Sequence, residues 1–313
     1  MPLWTEMKQV TTDQQTSAMN TLNNPPNPPP VAPTQWAQIN DKQVIVATPD
    51  RKCLRTLDTA SGQDPYATPM TGPGDKVTTR QLLDAAWCAG MAAARPSGEP
   101  LRRSLPRYVR ELIGSYFLTS ATPKLLREMG ERFTAMNRPD LALFATRFAR
   151  LEDGDQAMAA EDLHALGYHA EDLVRNCEPP PMSVTLRDYF ASLVRGPEPI
   201  EGLGYAYAIE RSSLSITEED LQELGRVVPA GIDAMTCRRH HSGVGGDVVH
   251  VKYFIHACSR LPAEDRARIA RATYEAMTYI SSLAAEDGAE DEVLEKQYSR
   301  YRLQAGYANV PVS

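Results

Sequence analysis

Apolar residues recur with a spacing of about 3.6 residues almost throughout the chain from Thr78 onward. This spacing places an apolar stripe on each of a series of helices, and the stripes must be buried against one another. Breaks divide the pattern, notably the run EPPP that begins at Glu178 and the glycine Gly167, a typical helix C-cap. The pattern predicts an all-α helical bundle without an internal repeat.

The predicted helices follow from these breaks. The first begins at an N-cap that is either Thr78 or Thr79. Thr217 precedes three acidic residues, which is a capping-box-like helix start. The other helices are predicted over 108–118, 124–137, 139–166, 183–193, 202–213, 217–228, 263–285 and 291–305, with one over 232–259 that is interrupted at 242–246.

The N-terminal part of the chain has a different character. It is polar and contains a proline run from Pro25 to Pro33, which cannot bury a core. The run from Gln43 to Thr48 could be one short strand or an extended arm. We therefore expect a Pro-rich, partly extended arm over 1–76 and a helical domain over 77–313, in which 77–137 forms accessory helices and 138–290 carries the functional site.

Composition excludes several classes of function. The 313 residues carry a formal net charge of −7, and no basic stripe predicts a nucleic-acid partner. No stretch approaches the roughly 18 apolar residues of a membrane span, and the N-terminus lacks the apolar centre of a signal peptide. We therefore expect a cytoplasmic protein with no membrane partner. The five cysteines include no CxxC pair, so neither a zinc knuckle nor a disulfide framework is predicted.

Four acidic or histidine side chains lie in three separate helix-like segments: Glu152, Glu210, Asp247 and His250. Inside a bundle such groups are costly unless they are paired or bind a metal, and bundles build di-iron sites from inward-facing Glu and His. Each piece alone also fits a structural role. Glu152 and Asp155 are three residues apart and are expected to share one helix face, and acids so spaced are usually solvated. An Asp–His pair is likewise often a structural hydrogen bond.

Together these segments resemble the haem-oxygenase-like iron-containing oxidases, a family of seven-helix bundles that activate O2 at a non-haem iron or di-iron site. The matching stretches are LEDGDQAMAAEDLHALGYHAEDLV from Leu151, GYAYAIERSS from Gly204 and RHHSGVGGDVVHV from Arg239. The resemblance spans about residues 80–290, and it depends on the order and spacing of short motifs. It implies a bundle of about seven core helices, to which the N-terminal helices are an addition.

By position, the resemblance implies that Glu152, Glu210, Asp247 and His250 are metal ligands and catalytic residues. The chain departs from the family's pattern at two further ligand positions, and these departures bear on how many metals it binds.

The family's first-helix histidine is Asp155 here, and an aspartate can still bind iron. The histidine four positions before Asp247 would be Gly243, which binds nothing. In another alignment, which we favour, a bulge in the glycine-rich stretch 242–246 returns His241 to the ligand position. If His241 is not a ligand, at most one iron is expected to bind well.

The resemblance implies an oxidase of a small molecule in specialised metabolism, with one or two Fe(II) per chain and O2 as co-substrate. We favour an amino acid or its derivative as the substrate, because arginines flank the motifs and a guanidinium can clamp a carboxylate. Substrate contacts are expected from Arg211, Arg239 and Tyr207, and Asp162 is expected to orient a metal ligand. These arginines could equally neutralise nearby acids, and such tyrosines are more often core residues.

Two alternative classes of function stay open. Asp155 and Gly243 also fit a degenerate, metal-free member of the family that acts as a binding protein. A cofactor-free enzyme acting on a bound organic ring is the other alternative, and Tyr205 and Tyr207 would then line the pocket. The segment 36–110 could pack on the bundle or form a homodimer contact.

Overall fold

A computed structural model describes residues 34–58, 63–93, 102–283 and 289–303. The proline run lies outside these described residues. The strands are β1 (Gln35–Asn40), β2 (Gln43–Ala47) and β3 (Lys52–Thr56). The helices are α1 (Lys76–Ala93), α2 (Leu105–Ala135), α3 (Pro139–Leu151), α4 (Asp155–Ala165), α5 (Ala170–Asn176), α6 (Pro181–Arg195), α7 (Glu201–Ser213), α8 (Glu218–Gly225), α9 (Thr236–His240), α10 (Asp247–Cys258), α11 (Ala263–Leu283) and α12 (Asp291–Ser299).

The segment from Gln43 forms the central strand of a small sheet. The three strands are antiparallel in the order β1-β2-β3, and β1 packs on α11 while β2 and β3 pack on α1. The buried guanidinium of Arg266 joins the sheet to the helices, because its Nε donates to Gln35 Oε1 at 2.9 Å and its Nη2 donates to Gly72 O at 3.0 Å. This sheet is an addition to the helical bundle that helical periodicity could not predict.

Pro123 does not end a helix, contrary to the predicted break between 118 and 124. It is buried inside α2, which continues on both sides of it. A proline costs an internal helix about 3 kcal/mol because it lacks the N–H donor. Packing of α2 along α3, α4 and α6 outweighs that cost.

The first helix begins earlier than predicted. The sequence predicts an N-cap at Thr78 or Thr79, but α1 begins at Lys76, and Asp75 Oδ1 accepts a hydrogen bond from the amide of Thr78 at 2.9 Å.

The predicted helix over 139–166 is two helices. Gly154 has a φ of 100°, in the left-handed region that a helix cannot continue through, so α3 ends at Leu151 and α4 begins at Asp155. The predicted C-cap at Gly167 is present: its amide bonds to His164 O and the amide of Tyr168 bonds to Leu163 O. The capping box at Thr217 is also present.

Two apolar clusters form the core. The larger joins the sheet with α1, the C-terminal half of α2, α3, α6, α7, α10 and α11. The smaller joins the N-terminal half of α2 with α4, α5, α8, α9 and α12. Helices α1 and α2, expected as accessory elements, thus share their packing with the segment 138–290. In the described part of the chain, no helix combines the length and apolar character needed to cross a membrane.

Candidate metal centre

Carboxylates and imidazoles from five helix ends or faces converge where the two apolar clusters meet. The structure brings together all six predicted ligands, Glu152, Asp155, Glu210, His241, Asp247 and His250, and adds His240. The four carboxylates and His250 are all buried. Such a concentration of ionisable groups inside a core is costly unless something binds them.

The break at Gly154 positions the first two carboxylates. Glu152 caps the end of α3 and Asp155 is the first residue of α4. They do not share one helix face, which corrects the expectation drawn from their three-residue spacing. The change of chain direction between them lets Glu152 reach His250 while Asp155 faces His240 and His241.

One group of potential ligands consists of Glu152, Glu210 and His250. His250 Nδ1 lies 3.0 Å from Glu152 Oε1 and 3.3 Å from Glu210 Oε2. One donor atom from each residue lies within 4.8 Å of the others. All three side chains are buried, and Phe148 packs edge-on against the His250 ring.

A second group consists of Asp155, His240 and His241, whose donor atoms also lie within 4.8 Å of one another. The Nε2 atoms of His240 and His241 lie 3.9 and 3.8 Å from the Asp155 carboxylate. Asp247 stands between the two groups, since its Oδ1 is 3.2 Å from His241 Nδ1 and 3.8 Å from His250 Nδ1.

The glycine-rich stretch is a loop between α9 and α10. The amide of Gly243 donates to Ile216 O at 3.0 Å, and a Cβ at this position would lie 2.8 Å from Leu214 O. Gly243 therefore packs against the end of α7, and it has no side chain that could bind a metal. The loop instead places His241 beside Asp247.

Six donor atoms of the cluster are buried and have no hydrogen-bond partner: Glu152 Oε1, Asp155 Oδ2, Glu210 Oε2, His240 Nε2, His241 Nε2 and His250 Nδ1. Such atoms are rare in a folded protein because each costs its full desolvation. In octahedral coordination, metal bonds of about 2.1 Å at near-right angles place neighbouring ligand atoms about 3 Å apart. The contacts of His250 match that separation, so its group fits a metal ion. The contacts of Asp155 with His240 and His241, at 3.9 and 3.8 Å, are wider.

The buried acids raise the pKa values of two histidines. Burial acts to lower the pKa of His250, but Glu152 and Glu210 overcome it and raise the pKa to about 11. Burial likewise opposes the shift at His241, where Asp247 and Asp155 raise the pKa to about 9. In contrast, burial and the neighbouring His241 lower the pKa of His240.

Two carboxyl groups are also shifted. Burial raises the pKa of Asp155 to about 6. Burial, together with the charges of Glu152 and Asp247, raises the pKa of Glu210 well above its usual range. The metal-free centre therefore retains protons that a bound metal would have to displace.

Asp162 lies behind the centre and holds the N-terminus of α9. Its Oδ1 accepts the amide of Thr236 at 3.0 Å, and its Oδ2 accepts the amide of Cys237 at 2.9 Å. Both bonds satisfy helix donors that have no partner within α9. Because α9 ends at His240, the Asp162 carboxylate fixes the element that presents His240 and His241.

The three residues that were expected to contact the substrate have other partners. Tyr207 is fully buried and donates to Asp84 Oδ1 at 2.8 Å, and Arg211 Nε donates to the same oxygen at 2.8 Å. Both side chains reach from α7 to Asp84 on α1. Arg239 is exposed and pairs with Asp233 at 2.8 Å.

A cavity of about 140 Å³ adjoins the centre. Glu152, Glu210, His241 and Asp247 form one end, and the other walls are mainly apolar. The volume is close to the roughly 150 Å³ of a cavity that holds benzene. Arg238 and Tyr205 also line the cavity. Arg238 is one residue before Arg239, and Tyr205 is two residues before Tyr207.

Sequence reasoning missed His240 and Arg238 as residues of the site. It named Tyr205 only for the cofactor-free alternative and assigned the substrate contact to Tyr207. The signal for His240 was the dipeptide His240-His241, of which we had assigned only the second residue. For Arg238 and Tyr205 the missing information was helix rotation, because neighbouring arginines and tyrosines differ only in which side of the helix they occupy.

Comparison with known proteins supports the fold. No protein-family model matches the chain, and no curated protein matches it. One solved structure is similar: a domain of unknown function with a haem oxygenase-like fold from Shewanella denitrificans OS217, at 2.30 Å resolution. The TM-score is 0.51 with 18% sequence identity, over 76% of this chain and 99% of that chain. The predicted haem-oxygenase-like helical fold is confirmed.

Proposed function

We propose that this protein is a non-haem iron oxidase that binds one or two Fe(II) ions and uses O2 to oxidise a small molecule. The observation that carries the proposal is the set of six buried donor atoms without hydrogen-bond partners, gathered from separate helices around Asp247. Mixed imidazole and carboxylate ligands suit iron, and bound iron would supply the redox chemistry that lets O2 react with an organic substrate.

Two sets of side chains would hold the metals. Glu152, Glu210 and His250 would hold one metal, and Asp155 with His241 would hold the other. The Asp247 carboxylate, at 3.2 Å from His241 and 3.8 Å from His250, is placed to join the two groups. The apolar walls formed by Phe148 and neighbouring side chains would exclude water from the reacting end of the cavity.

The cavity supports a small substrate with a carboxylate, such as an amino acid or its derivative. Arg238 lines the cavity, and its side chain is 11% exposed. Its nearest carboxylate contact is Glu111 Oε2, at 3.8 Å. A guanidinium can bind a carboxylate in two parallel hydrogen bonds, which would fix the substrate's direction. The apolar walls would then take the remainder of the molecule and present one of its C–H or N–H bonds to the centre.

Anaerobic loading with Fe(II) followed by exposure to O2 tests the proposal. Loaded wild-type protein should consume O2 and oxidise its iron faster than free Fe(II) does, and small carboxylic acids should change that rate. Glu210→Ala should lose the effect, while Glu161→Ala, which changes an exposed acid on α4, should retain it. O2 consumption no faster than that of free Fe(II) would overturn the proposal.

A metal-free binding protein is the second candidate, and one observation favours it. The raised pKa values of His241 and His250 mean that imidazolium–carboxylate pairs can partly neutralise the cluster without a metal. Such a protein would bind a small molecule in the same cavity and would take up no iron. The cytoplasmic location and the homodimer stay predictions.

A further inference from the structure

We infer that His240 is a metal ligand, and that Asp155, His240 and His241 form a second metal subsite with two imidazoles and one carboxylate. This inference rests on the proposed function, because it requires that the centre binds metal. It goes beyond that function because it adds His240 as a ligand, so that the second metal has three protein ligands of its own.

The first observation concerns the imidazole of His240. Its side chain is 31% exposed, yet its Nε2 atom is buried and has no hydrogen-bond partner. That atom lies 3.9 Å from Asp155 Oδ1. The Asp155 side chain is 8% exposed, and its Oδ2 atom also lacks a hydrogen-bond partner. Thus a buried lone carboxylate oxygen and two buried imidazole nitrogens, those of His240 and His241, face one another.

The second observation is the space that the loop gives to the ring. A Cβ at Gly246 would lie 2.7 Å from His240 Nε2 and 2.9 Å from its Nδ1. A Cβ at Gly245 would collide with the carbonyl oxygens of Arg239 and His240. The loop backbone therefore packs directly under the His240 ring and the end of α9, where any larger residue would displace them. A solvent-facing histidine at a helix end does not need glycines packed against its ring in this way.

The third observation is the composition of the group. Two histidines and one carboxylate with positions left open are the ligand set that suits non-haem Fe(II) in oxygen-using enzymes. The Glu152, Glu210 and His250 group has the reverse composition, with two carboxylates and one imidazole. The two subsites should therefore differ in affinity and in their spectra, so that loss of one can be recognised.

Anaerobic titration with Co(II), followed by its visible absorption bands and by the metal content after gel filtration, tests this assignment. Wild-type protein should bind two Co(II) ions with different spectra. His240→Ala should weaken one of the two binding steps by more than about tenfold and remove its bands, since even outer ligands contribute that much to affinity. The matched control is His256→Ala, which removes an exposed histidine of α10.

Gly246→Ala gives a second test that leaves every ligand in place. The added methyl group should push the His240 ring aside and reproduce the loss of the same binding step. Gly225→Ala is its control, because a Cβ there would meet only Met235 Sδ at an ordinary 3.6 Å. Thermal unfolding with a chelator checks that each variant is folded.

The outcomes separate the two claims. If wild-type protein binds no Co(II), both the proposed function and this inference are overturned. If wild-type protein binds two ions and His240→Ala and Gly246→Ala titrate as the wild type does, only the inference is overturned. Loss of one step and its bands in both variants supports it.

Discussion

His250 Nδ1 lies 3.0 Å from Glu152 Oε1, and neither atom has a hydrogen-bond partner. The two atoms are at hydrogen-bond distance without hydrogen-bond geometry. This relationship fits two ligands of a common metal, and without a metal it is an imidazolium–carboxylate ion pair. The side chains arrive from the end of α3 and from α10, so the bundle itself holds them in this position.

Glu210→Gln should separate function from stability. Because burial and the charges of Glu152 and Asp247 raise the pKa of Glu210, its carboxyl group holds a proton in the metal-free protein, so the neutral amide should leave the free energy of unfolding of that protein nearly unchanged. The same change should remove metal binding at this group. Chemical denaturation with a chelator and with Mn(II) measures both effects. An equal loss of stability in both conditions would contradict the account.

Asp162→Ala should act through α9. Two backbone amides would lose their acceptor, so the free energy of unfolding should fall by about 2 kcal/mol. Metal affinity should fall by about 10–100-fold, because the helix that presents His240 and His241 is no longer fixed. Asp162→Asn keeps one acceptor oxygen and should recover part of both losses. Denaturation and metal titration of the two variants are the measurements, and unchanged metal affinity in Asp162→Ala would contradict this role.

The metal-free protein should lose stability as the pH rises from about 6.5 to about 9. An unfolded histidine releases its proton near pH 6.5, whereas His241 and His250 in the folded protein hold theirs until about 9 and about 11. Over this range the folded state binds more protons than the unfolded state, so the free energy of unfolding falls with increasing pH.

Metal should reverse this dependence. Its ligands must be deprotonated, so the stabilisation that a metal gives should grow over the same pH range. Thermal unfolding across the range, with chelator and with Mn(II), measures both trends. A metal-free unfolding temperature that rises between neutral and alkaline pH would show that the two histidines are not held protonated by the carboxylates.

Asp84→Ala should destabilise the fold without changing the metal content. Its Oδ1 accepts hydrogen bonds from Tyr207 and Arg211, and the Arg211 guanidinium also lies 4.7 Å from the centre of the Trp87 ring. Removing the acid leaves a partly buried cation and a buried hydroxyl without their acceptor, and should lower the free energy of unfolding by about 2 kcal/mol. Denaturation and metal analysis of the refolded variant test this. A parallel loss of metal would mean that the network belongs to the metal centre.

Much of the bundle could be predicted because its determinants are local. Helical periodicity, the glycine after Leu166 and the capping box at Thr217 depend on neighbouring residues and agree with the structure. The uninterrupted α2 could not be predicted from local signals, because tertiary packing outweighs the cost of Pro123. The three-stranded sheet likewise depends on its contacts with α1 and α11.

For the candidate centre, too, local sequence signals predicted one part and tertiary structure determined the rest. Residue type and spacing indicated which carboxylates and histidines could meet, and the glycine-rich loop indicated that His241 could replace a ligand at Gly243. Which residues face the cavity depends on helix rotation and on the path of one loop. For this reason Tyr205 and Arg238 line the cavity, and Tyr207 and Arg239, which were expected to contact the substrate, have other partners. His240 joins the second group.

Anaerobic titration of metal-free protein with Fe(II), with bound iron counted after gel filtration, tests the central claim most directly. The account predicts one to two irons per chain in the wild type. It predicts that His250→Ala, which removes the imidazole facing Glu152 and Glu210, loses at least one of them, while the exposed-site control His256→Ala loses none. No iron uptake above background in the wild type would contradict the account and favour a metal-free binding protein.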